Sequence, residues 1–441
     1  MKRLYEPSVR GSTEPWWTVE APPDAPAAAL DEQRAADVAI VGGGFTGLWT
    51  ALAIRERAPG TDVVVLEATR CGDGASARNG GFLHGYWSTL PRLVSLFGPE
   101  EALAVARAST GVYAAVRALG EDVWLNDSGM LLVSTAPAHD ARLANAVAVA
   151  QRLGVATEAV EVDDLPLVSP LVRRAVRYRD GATVQPARLV RALRRAVLRS
   201  GARVYEGSPV VALDGGVVRT AGGSVRAEEV VVATNAWVAR LPAAARRLAV
   251  FRSAIVLTEP VVDLHERIGW RAGEAVFDAR TYLHYLRPTA DGRVLMGSAS
   301  GVTADAERSL RSYFPALAGV RVAAAWEGPI DVSSDRLPFF ATVPGTRVHY
   351  GAGYTGNGVG PSWLGGHLLA SLALGEDPAS PLVRRKPVQL PPEPLRSLGA
   401  QLVRRALLAI DDAESEGRTP SSVVRAVAGV PARLGLPIAS R

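Results

Sequence analysis

The chain has 441 residues, of which 48% are hydrophobic and 21% charged, and its formal net charge is +5. This length predicts two packed regions rather than one core, and the apolar content excludes a disordered or fibrous chain. The basic residues are scattered as single arginines or Arg-Arg pairs, so the charge pattern argues against nucleic-acid binding.

The cysteine count and the hydropathy exclude several further classes. Cys71 is the only cysteine, which rules out an internal disulfide framework and a zinc or iron–sulfur site built on cysteines, and we expect no metal. The N-terminus lacks the apolar run of a secretory signal, and no stretch reaches the ~18 apolar residues of a membrane helix. We therefore expect a cytoplasmic protein without a membrane span.

The first predicted elements are an arm and a βαβ unit. Residues 1–35 are rich in Pro and Ala, and we expect Trp16 and Trp17 to pin this arm to the domain surface. The unit that follows consists of a strand, a helix and a second buried strand, at 37–44, 45–58 and 61–68.

Helices and short strands alternate along the rest of the chain. The hydrophobic periodicity predicts helices at 91–120, 138–154, 186–200 and 395–417. Short strands are predicted at 202–207 and 215–234, a hairpin with an Asp-Gly turn at 281–298, a strand, glycine loop and helix at 347–375, and a Pro-rich linker at 376–393.

A glycine-rich turn joins the first strand to its helix. Gly42, Gly44 and Gly47 form a G-x-G-x-x-G pattern, and Glu67 ends the next strand. In such a unit the glycines permit the tight turn, the approach of a pyrophosphate and close helix–strand packing, while the helix N-terminus attracts phosphate and the acid binds ribose hydroxyls. The carboxylate disfavours NADP, whereas NAD and FAD both fit.

A second glycine-rich loop, CGDGASARNGGF at 71–82, follows Glu67 closely. Its small residues allow close backbone approach beside the pyrophosphate, and Ser76 and Arg78 can bind phosphate oxygens. The Asn79-Gly80-Gly81 run can continue toward a flavin ring. A flavin must also be held at its isoalloxazine end, so this second loop favours FAD over NAD.

Two sequence stretches, DVAIVGGGFTGLWTAL and LEATRCGDGASARNGGF, resemble the FAD enzymes of the glycine oxidase/D-amino-acid oxidase superfamily. The second loop is most similar to the gamma-glutamylputrescine oxidase-like branch, which reads G-A-S-G-R-N-G-G, with Ala77 here in place of a glycine. The resemblance spans about 35–385, with further anchors in GATVQPARLVRALRRAV, SPVVAL, VVVATNAWV, DRLPFF and GYTGNGVGPS. In the last of these, Asn357 stands where the family often has histidine.

The resemblance implies an α/β fold: an FAD-binding Rossmann-like domain of the glutathione-reductase type, an inserted antiparallel-sheet substrate domain and a C-terminal helical tail. The expected division is an arm at 1–35, an FAD-binding domain at 36–95, 150–240 and 326–385, a substrate domain at 96–149 and 241–325, and a tail at 391–441.

The pattern and the resemblance together assign a set of residues to non-covalent FAD. A buried, inert Cys71 is expected rather than a covalent link. The assigned residues are Gly42, Gly44, Phe45, Thr46, Gly47, Glu67, Ala68, Gly74, Ala75, Ser76, Arg78, Asn79, Gly80, Gly81, Val210, Thr234, Asn235, Trp237, Gly353, Tyr354, Thr355, Gly356, Asn357 and Gly358.

The resemblance implies oxidation of a C–N bond of a small amine or amino acid by hydride transfer to flavin N5, giving an imine that hydrolyses. Alternation along the 281–298 hairpin points either Tyr282 and His284 or Tyr285 and Arg287 at the site. Arg287 is expected to clamp a substrate carboxylate or to pair with a neighbour such as Asp291.

Other side chains near the expected substrate site have less defined roles. Tyr354 is expected to wall the pocket, and Arg287, Tyr285 and Tyr354 are the candidate catalytic residues. Trp326 serves the pocket or the packing, Arg252 is placed near the entrance by the resemblance, and His84 is expected to be structural.

Three other functions stay open: an FAD-dependent dehydrogenase of a 2-hydroxy acid or polyol, a flavin-binding scaffold and an NAD-linked dehydrogenase. The electron acceptor is O₂ or another carrier. The only lysines, Lys2 and Lys386, are not placed to promote reaction with O₂ as a lysine does in sarcosine oxidase-like relatives.

The amphipathic helix of the tail is expected to pack on its own chain, to form a homodimer or to touch a membrane surface. Its acids, among them Asp411 and Asp412, argue against anionic lipid.

Overall fold

A computed structural model describes residues 14–433. Within them the strands are β1 Gln33–Val41, β2 Val63–Leu66, β3 Phe82–Leu83, β4 Met130–Ser134, β5 Glu158–Val160, β6 Arg174–Tyr178, β7 Ala182–Thr183, β8 Arg203–Tyr205, β9 Ala212–Asp214, β10 Val217–Arg219, β11 Ser224–Val232, β12 Leu248–Thr258, β13 Ala275–Asp278, β14 His284–Pro288, β15 Val294–Ser298, β16 Val322–Ser333, β17 Phe339–Thr342 and β18 Val348–Ala352.

The α-helices in the same part of the chain are α1 Trp16–Glu20, α2 Phe45–Arg57, α3 Leu90–Phe97, α4 Pro99–Ser109, α5 Gly111–Ala118, α6 Pro137–Arg152, α7 Pro186–Arg199, α8 Pro242–Ala245, α9 Leu264–Ile268, α10 Thr303–Tyr313, α11 Pro361–Ala373, α12 Pro381–Arg384, α13 Leu395–Ser415, α14 Ser422–Ala428 and α15 Val430–Arg433. Short 3₁₀ turns lie at Ala75–Ala77, Trp87–Thr89, Val162–Asp164, Asn235–Arg240 and Pro315–Leu317.

The first sheet is the predicted nucleotide-binding sheet. Its strands follow the order β17-β18-β11-β1-β2-β8, in which β18, β11, β1, β2 and β8 are parallel and β17 is an antiparallel edge. The central strands are apolar and buried on both faces, as helices on both sides of a parallel sheet require. At the carboxyl end Val41 pairs with both Leu66 and Val232, so the turn after β1 lies at the middle of the sheet edge.

The second sheet has the order β16-β12-β15-β14-β13-β4-β6-β5. All neighbours in it are antiparallel except β13 and β4, which run parallel, so the predicted antiparallel sheet contains one parallel pair. The long pair β12–β16 extends from Leu248, opposite Ser333, to Thr258, opposite Val322. Helix α10 covers one face of this sheet through buried residues such as Leu310 and Tyr313.

Strand pairing changes part of the expected domain division. Strands β5 and β6 fall inside the range 150–240 assigned to the FAD-binding domain, yet they pair in the second sheet. Strand β16 begins at Val322, and most of it lies in the range 326–385, but it too pairs in the second sheet. The reason is that sheet membership depends on partners distant in sequence, here β4 for β6 and β12 for β16.

Local turn chemistry decides where several predicted elements end. The region 91–120 is three helices instead of one, and the first break lies at Gly98, which has φ +79° and is followed by Pro99 at the start of a new helix. The predicted hairpin is confirmed as β14 and β15, with Gly292 at φ +79° in the connecting turn. At both places the chain turns at a glycine whose φ lies in the left-handed region.

Helices α2 and α11 pack closely above the first sheet. A Cβ at Gly366 would lie 2.6 Å from Cβ of Trp49, so only glycine lets the two helices approach this far. Trp49 and Leu369 are buried in the same apolar cluster as the β1 side chain of Ile40. This packing fixes the N-terminal ends of both helices relative to the sheet edge.

The N-terminal arm is held mainly by Trp17, which is fully buried. Its Nε1 donates to the carbonyl of Asn79 over 2.9 Å, and its ring meets that of Trp326 edge to face with centroids 6.0 Å apart. The expectation that the tryptophans pin the arm is met for residues 14–35, and residues 1–13 lie outside the described part of the chain.

The tail helix α13 packs on its own chain. Leu407 and Ala406 are buried against α14, while Leu395, Leu398 and Leu402 are exposed. None of the helices between residues 14 and 433 combines the length and the apolar character needed to cross a bilayer. Residues 434–441 of the predicted tail lie outside the described residues.

Candidate functional site

Two adjoining cavities lie between the sheets. The first, of about 730 Å³, runs along the carboxyl edge of the first sheet, and the second, of about 480 Å³, lies against the second sheet. They share a wall, which consists of Ala75, Arg78, Asn79, Pro329, Ile330, Tyr354, Gly356 and Val359. A molecule in one cavity therefore lies beside a molecule in the other.

The glycine pattern forms a turn that no larger residue could make. Gly42 has φ +111°, and a Cβ there would lie 2.5 Å from the carbonyl oxygen of Ala233. A Cβ at Gly47 would lie 1.9 Å from the carbonyl oxygen of Gly42, which confirms that this glycine serves helix–strand packing. The turn leaves Gly44, Phe45 and Thr46, at the N-terminus of α2, on the wall of the first cavity.

Glu67 lies on the wall of the same cavity with Ala68 and Val210. Its carboxylate accepts hydrogen bonds from the N–H of Gly43 over 2.8 Å and from the N–H of Thr69 over 3.0 Å. The Thr69 hydroxyl donates to the same oxygen as its N–H over 3.4 Å, which leaves a lone pair on the other oxygen for a ligand hydroxyl group. Burial raises the pKa of Glu67, and the two backbone N–H groups oppose that rise.

The second loop forms a tight 3₁₀ turn that faces the helix N-terminus. The Ser76 hydroxyl accepts a hydrogen bond from the N–H of Phe45 over 2.9 Å, which ties the two glycine-rich loops together. The Asn79 amide donates to the carbonyl of Ser76 over 2.8 Å, and its oxygen accepts from the N–H of Gly81 over 2.7 Å. Asn79 therefore shapes the loop from inside.

Two tryptophans and one arginine hold the second loop from behind. Trp17 binds the Asn79 carbonyl, and Nε1 of Trp326 donates to the carbonyl of Arg78 over 2.8 Å. Nε of Arg287 donates to the carbonyl of Gly80 over 2.7 Å. The three successive carbonyls of Arg78, Asn79 and Gly80 thus point away from the cavities. The small side chains of the loop therefore face the cavities.

A third loop, residues 353–358, closes the shared wall. The Asp331 carboxylate accepts a hydrogen bond from the N–H of Gly353 over 2.5 Å, and the Asp331 carbonyl accepts from the N–H of Thr355 over 2.8 Å. Thr355 has φ +55°, a left-handed conformation that this backbone bond stabilises. Thr46 donates to the phenol oxygen of Tyr354 over 2.9 Å, so the loop is tied to α2.

The structure brings most of the residues assigned to FAD to the first cavity. Those on its wall are Gly42, Gly44, Phe45, Thr46, Glu67, Ala68, Gly74, Ala75, Ser76, Arg78, Asn79, Val210, Thr234, Asn235, Trp237, Tyr354, Gly356 and Gly358. Gly80, Thr355 and Asn357 lie on the wall of the second cavity.

Three assigned glycines, Gly47, Gly81 and Gly353, line neither cavity. Their role is to shape the backbone, because a Cβ at Gly81 would lie 2.0 Å from the carbonyl oxygen of Val184 and one at Gly353 would lie 2.9 Å from Ser333 Cβ.

The prediction that Arg287 clamps a substrate carboxylate does not agree with the structure. Arg287 is 2% exposed and lies on the wall of neither cavity. Its donors are used by the carbonyls of Gly80 and Val184, both over 2.7 Å, and its guanidinium lies 5.2 Å from the ring centre of Trp17. The alternative pairing with Asp291 is also wrong, since Asp291 binds Arg293 over 2.7 Å.

The alternation argument for the hairpin is only half correct. Tyr285 and Arg287 do face the second loop, and Tyr285 lines the second cavity, while His284 points away into a buried network with Asp278 and Asp305. Tyr282 nevertheless lines the cavity as well. It precedes β14, which begins at His284, so the two-residue alternation of a strand does not apply to it.

The remaining candidates pack against other parts of the protein or pair with them. Trp326 is 1% exposed and packs behind the second loop instead of walling a pocket. Arg252 pairs with Glu327 over 3.0 Å and does not line the second cavity, although its neighbours Phe251 and Ser253 do. His84 lies on the cavity wall stacked on Phe277, and burial lowers its pKa.

Cys71 is buried beside the first turn, and burial raises the pKa of its thiol well above the usual value. A thiol in this state is a poor nucleophile, which is consistent with non-covalent cofactor binding. Lys386 is exposed and lines neither cavity. Lys2 lies outside the described residues.

Sequence reasoning missed three features of the site. Asp331 orders the third loop, Arg336 lines the second cavity, and the tail contributes a wall of that cavity. Arg336 belongs to the DRLPFF stretch and lies close to Asp331 in the sequence. This position was the signal that could have identified it. The tail carried no such signal, because its contacts are with residues far away in sequence.

The first cavity fits FAD in shape and in chemistry. A Cβ-free backbone at Gly42 and Gly44, a helix N-terminus and a carboxylate at Glu67 are the groups that a dinucleotide needs. Tyr354 and Gly356 of the third loop mark the end of the cavity that adjoins the second one, where a flavin ring would meet a substrate.

Comparison with known proteins identifies the family of the chain. Residues 37–372 match the family described as DAO, FAD dependent oxidoreductase. The chain is 31% identical over 416 residues to a probable oxidoreductase OrdL of Rhizobium meliloti (strain 1021), covering 89% of this chain and 94% of that protein. It is 32% identical to gamma-glutamylputrescine oxidoreductase of Escherichia coli (strain K12), covering 82% of this chain and 89% of the relative.

The fold is that of solved amino-acid-oxidising flavoproteins. Glycine oxidase from Geobacillus kaustophilus superimposes with a TM-score of 0.67 at 23% identity, covering 80% of this chain and all of the other (100%). L-proline dehydrogenase from P. horikoshii superimposes with a TM-score of 0.66 at 18% identity, covering 79% of this chain and 96% of the other. The tail beyond residue 372 lies outside the family match.

Proposed function

Because the chain belongs to the DAO family of FAD-dependent oxidoreductases, we propose that it oxidises the C–N bond of a small amine or amino acid to an imine, which then hydrolyses. It is an FAD-dependent enzyme whose relatives act on amines and amino acids. The identity of the substrate is inferred from the shape and charge of the second cavity.

One observation carries the proposal. The second cavity shares a wall with the cofactor cavity, formed by the second loop and the third loop. A small molecule bound there has one end against Tyr354 and Gly356, beside the place of the flavin ring. FAD, when bound, accepts the hydride that an amine loses from the carbon next to nitrogen.

The chain's own residues supply placement and exclusion of water. Tyr285 lies across Gly297, where a Cβ would be 1.9 Å from its ring, and its hydroxyl meets Ser253 over 2.9 Å. Burial raises the pKa of Tyr285 to about 12, so its hydroxyl stays protonated at neutral pH and can orient a polar group of the substrate. Tyr354 is 8% exposed and likewise stays neutral.

The cavity also indicates how charge is matched. Its described wall contains arginines and no aspartate or glutamate, which favours a substrate that carries a carboxylate over a simple polyamine. Arg336 lines this cavity, and its Nε has no hydrogen-bond partner among the described residues.

Anaerobic reduction of the flavin tests the proposal. The purified yellow protein is mixed without oxygen with a panel of amines and amino acids, and in parallel with 2-hydroxy acids and polyols, while the visible flavin band is followed. We expect bleaching by at least one amine and none by the hydroxy compounds. Bleaching by hydroxy compounds alone would assign the enzyme to C–O oxidation, and no bleaching by any compound would favour a scaffold.

The electron acceptor, a homodimer through the tail helix and a cytoplasmic location stay predictions. Oxygen consumption during turnover distinguishes O₂ from another acceptor. Light scattering in solution measures the oligomeric state.

A further inference from the structure

The second cavity carries an uneven charge that the reaction at the shared wall does not explain. Six arginines line it, and no acidic side chain does so among the described residues: Arg78, Arg92, Arg142, Arg336, Arg396 and Arg404. Among them, Arg142 binds Glu414 and Arg396 binds Glu393. Arg336 and Arg404 form no salt bridge with a carboxylate within residues 14–433, so an anion bound beside them would balance their charge.

Arg336 is the most unusual member of this set. Its Nε is shielded from solvent and has no hydrogen-bond partner, and no hydrogen bond or ion pair to its guanidinium occurs within residues 14–433. Burial lowers its pKa, and the nearby negative charge of Asp411 opposes that shift without cancelling it. Arg336 is half-buried and its shielded Nε lacks a hydrogen-bond partner, which costs free energy that a carboxylate bound to the guanidinium would recover.

Tyr282 lies near both Arg336 and a second arginine. The guanidinium of Arg404 lies over the Tyr282 ring at 5.9 Å from its centre. Burial raises the pKa of the Tyr282 phenol, while the positive charges of Arg336 and Arg404 both act to lower it, so both charges are near this one ring. The three side chains line the second cavity and are absent from the wall that it shares with the cofactor cavity.

Arg404 and part of this wall come from the C-terminal tail. Helix α13 is fixed over the cavity by Asp411, whose carboxylate accepts hydrogen bonds from the N–H groups of Thr281 over 2.9 Å and Tyr282 over 2.8 Å. Arg404 also donates to the carbonyl of Ser300. The tail thus determines both the position of Tyr282 and the charge beside it, and it lies outside the residues matched to the family.

We propose that Arg336, Tyr282 and Arg404 form a subsite for an acidic group of the substrate, separate from the amine that reacts at the shared wall. This proposal rests on the proposed function, which assigns an amine to the end of the substrate that reacts at the shared wall. The subsite selects amines that carry a carboxylate several carbons away from the reacting nitrogen. The C-terminal segment 391–433 is then a specificity element of this particular chain.

Ligand binding tests the subsite without turnover. The probes are pentanoate and pentanamide, which match in shape and differ in charge, titrated into the FAD-loaded protein by isothermal calorimetry. We expect pentanoate to bind the wild type at least tenfold more tightly than pentanamide. Equal affinity for the two probes would overturn the proposal, and this comparison needs no variant to fold.

Variants then locate the subsite. Arg336→Gln and Arg404→Gln should each weaken pentanoate binding about tenfold to a hundredfold, the range of a hydrogen bond to a charged group, and leave pentanamide unchanged. Arg418→Gln is the matched control, because Arg418 is an exposed tail arginine paired with Glu416 outside the cavity. Unaltered pentanoate binding by folded Arg336→Gln would refute the assignment.

Turnover separates this proposal from the proposed function. With 5-aminopentanoate and pentylamine as substrates, Arg336→Gln should raise KM for the amino acid about tenfold or more and leave both kcat values and the KM of pentylamine unchanged. If no amine reduces the flavin, the proposed function fails, while charge-selective pentanoate binding that depends on Arg336 still supports the subsite.

Discussion

The Thr46 hydroxyl donates a hydrogen bond to the phenol oxygen of Tyr354 over 2.9 Å, although 308 residues separate the two in the chain. This bond links the start of α2, where the pyrophosphate of a dinucleotide would lie, to the loop that closes the shared wall. The first and the last cofactor loops are therefore coupled to each other and to the substrate cavity.

Removing this bond should loosen the cofactor. We expect Tyr354→Phe and Thr46→Val each to weaken FAD binding about three- to tenfold, as the loss of a neutral hydrogen bond of about 0.5–1.5 kcal/mol implies. FAD dissociation followed by fluorescence measures the effect. The double variant should be no weaker than either single one, and additive losses would show that the two hydroxyls act separately.

Gly44→Val should abolish FAD binding. The new side chain would start 2.9 Å from the Ser76 hydroxyl and project where the pyrophosphate must approach the backbone. The flavin content of the purified protein is the measurement. Gly60→Val is the control, because a Cβ at Gly60 meets nothing within 4 Å; a yellow Gly44→Val protein with normal flavin content would contradict the prediction.

Arg287→Met should destabilise the protein instead of changing its substrate preference. Two hydrogen bonds from a buried guanidinium to the carbonyls of Gly80 and Val184 are lost, at about 1.5–3 kcal/mol each before relaxation. We expect a lower unfolding temperature, weaker flavin retention and an equal loss of turnover for amino acids and simple amines. Exposed Arg271→Met is the control. A loss of turnover confined to carboxylate-bearing substrates would instead support the predicted contact between Arg287 and the substrate carboxylate.

Asp331 should give a pH-dependent contribution to stability. Burial raises its pKa to about 6, so the folded protein binds a proton that the unfolded chain has already released. With a raised folded pKa, the contribution is fully present below about pH 4 and is lost as the pH rises through 6. A shift of about two units corresponds to about 3 kcal/mol.

Asp331→Asn mimics the protonated carboxyl and keeps an acceptor for the N–H of Gly353. We expect its free energy of unfolding to equal that of the wild type near pH 4, to exceed it increasingly up to about pH 6, and to stay above it by a constant amount at higher pH. Urea unfolding at a series of pH values provides the comparison. Parallel curves for the two proteins would mean that Asp331 does not titrate in this range.

Asp411→Ala should free the tail from the cavity wall. It leaves the N–H groups of Thr281 and Tyr282 without their acceptor, which costs about 1–3 kcal/mol for each group that stays buried. We expect faster proteolysis within α13 and a raised KM for the amine substrate. Asp412→Ala changes the exposed neighbour and should do neither; a tail equally protected in both variants would argue against the anchor.

The parts of the fold that the sequence predicted well are those determined by near neighbours. The strand, turn and helix around Gly42 follow from a local hydrophobic run and three glycines, and the hairpin follows from the Asp-Gly turn at Gly292. The break at Gly98 could also have been read, since a glycine followed by proline ends one helix and starts another.

The parts that were missed depend on distant partners. Strand alternation places Arg287 on the face of Tyr285, but it cannot show that the carbonyls of Gly80 and Val184 lie across from that face. Likewise the pattern of α13 predicts a packed helix, whereas only the folded chain shows Asp411 meeting the backbone of Thr281 and forming a cavity wall.

The buried indole of Trp17 has a practical consequence for anyone trimming this protein. A fragment cut to the family limits, starting at residue 37, would lack the side chain that supports Asn79, Trp326 and Arg287 together. Such a minimal version would keep every glycine of the two glycine-rich loops and still lose the backing of the second one. The shortest useful expression clone therefore begins ahead of helix α1.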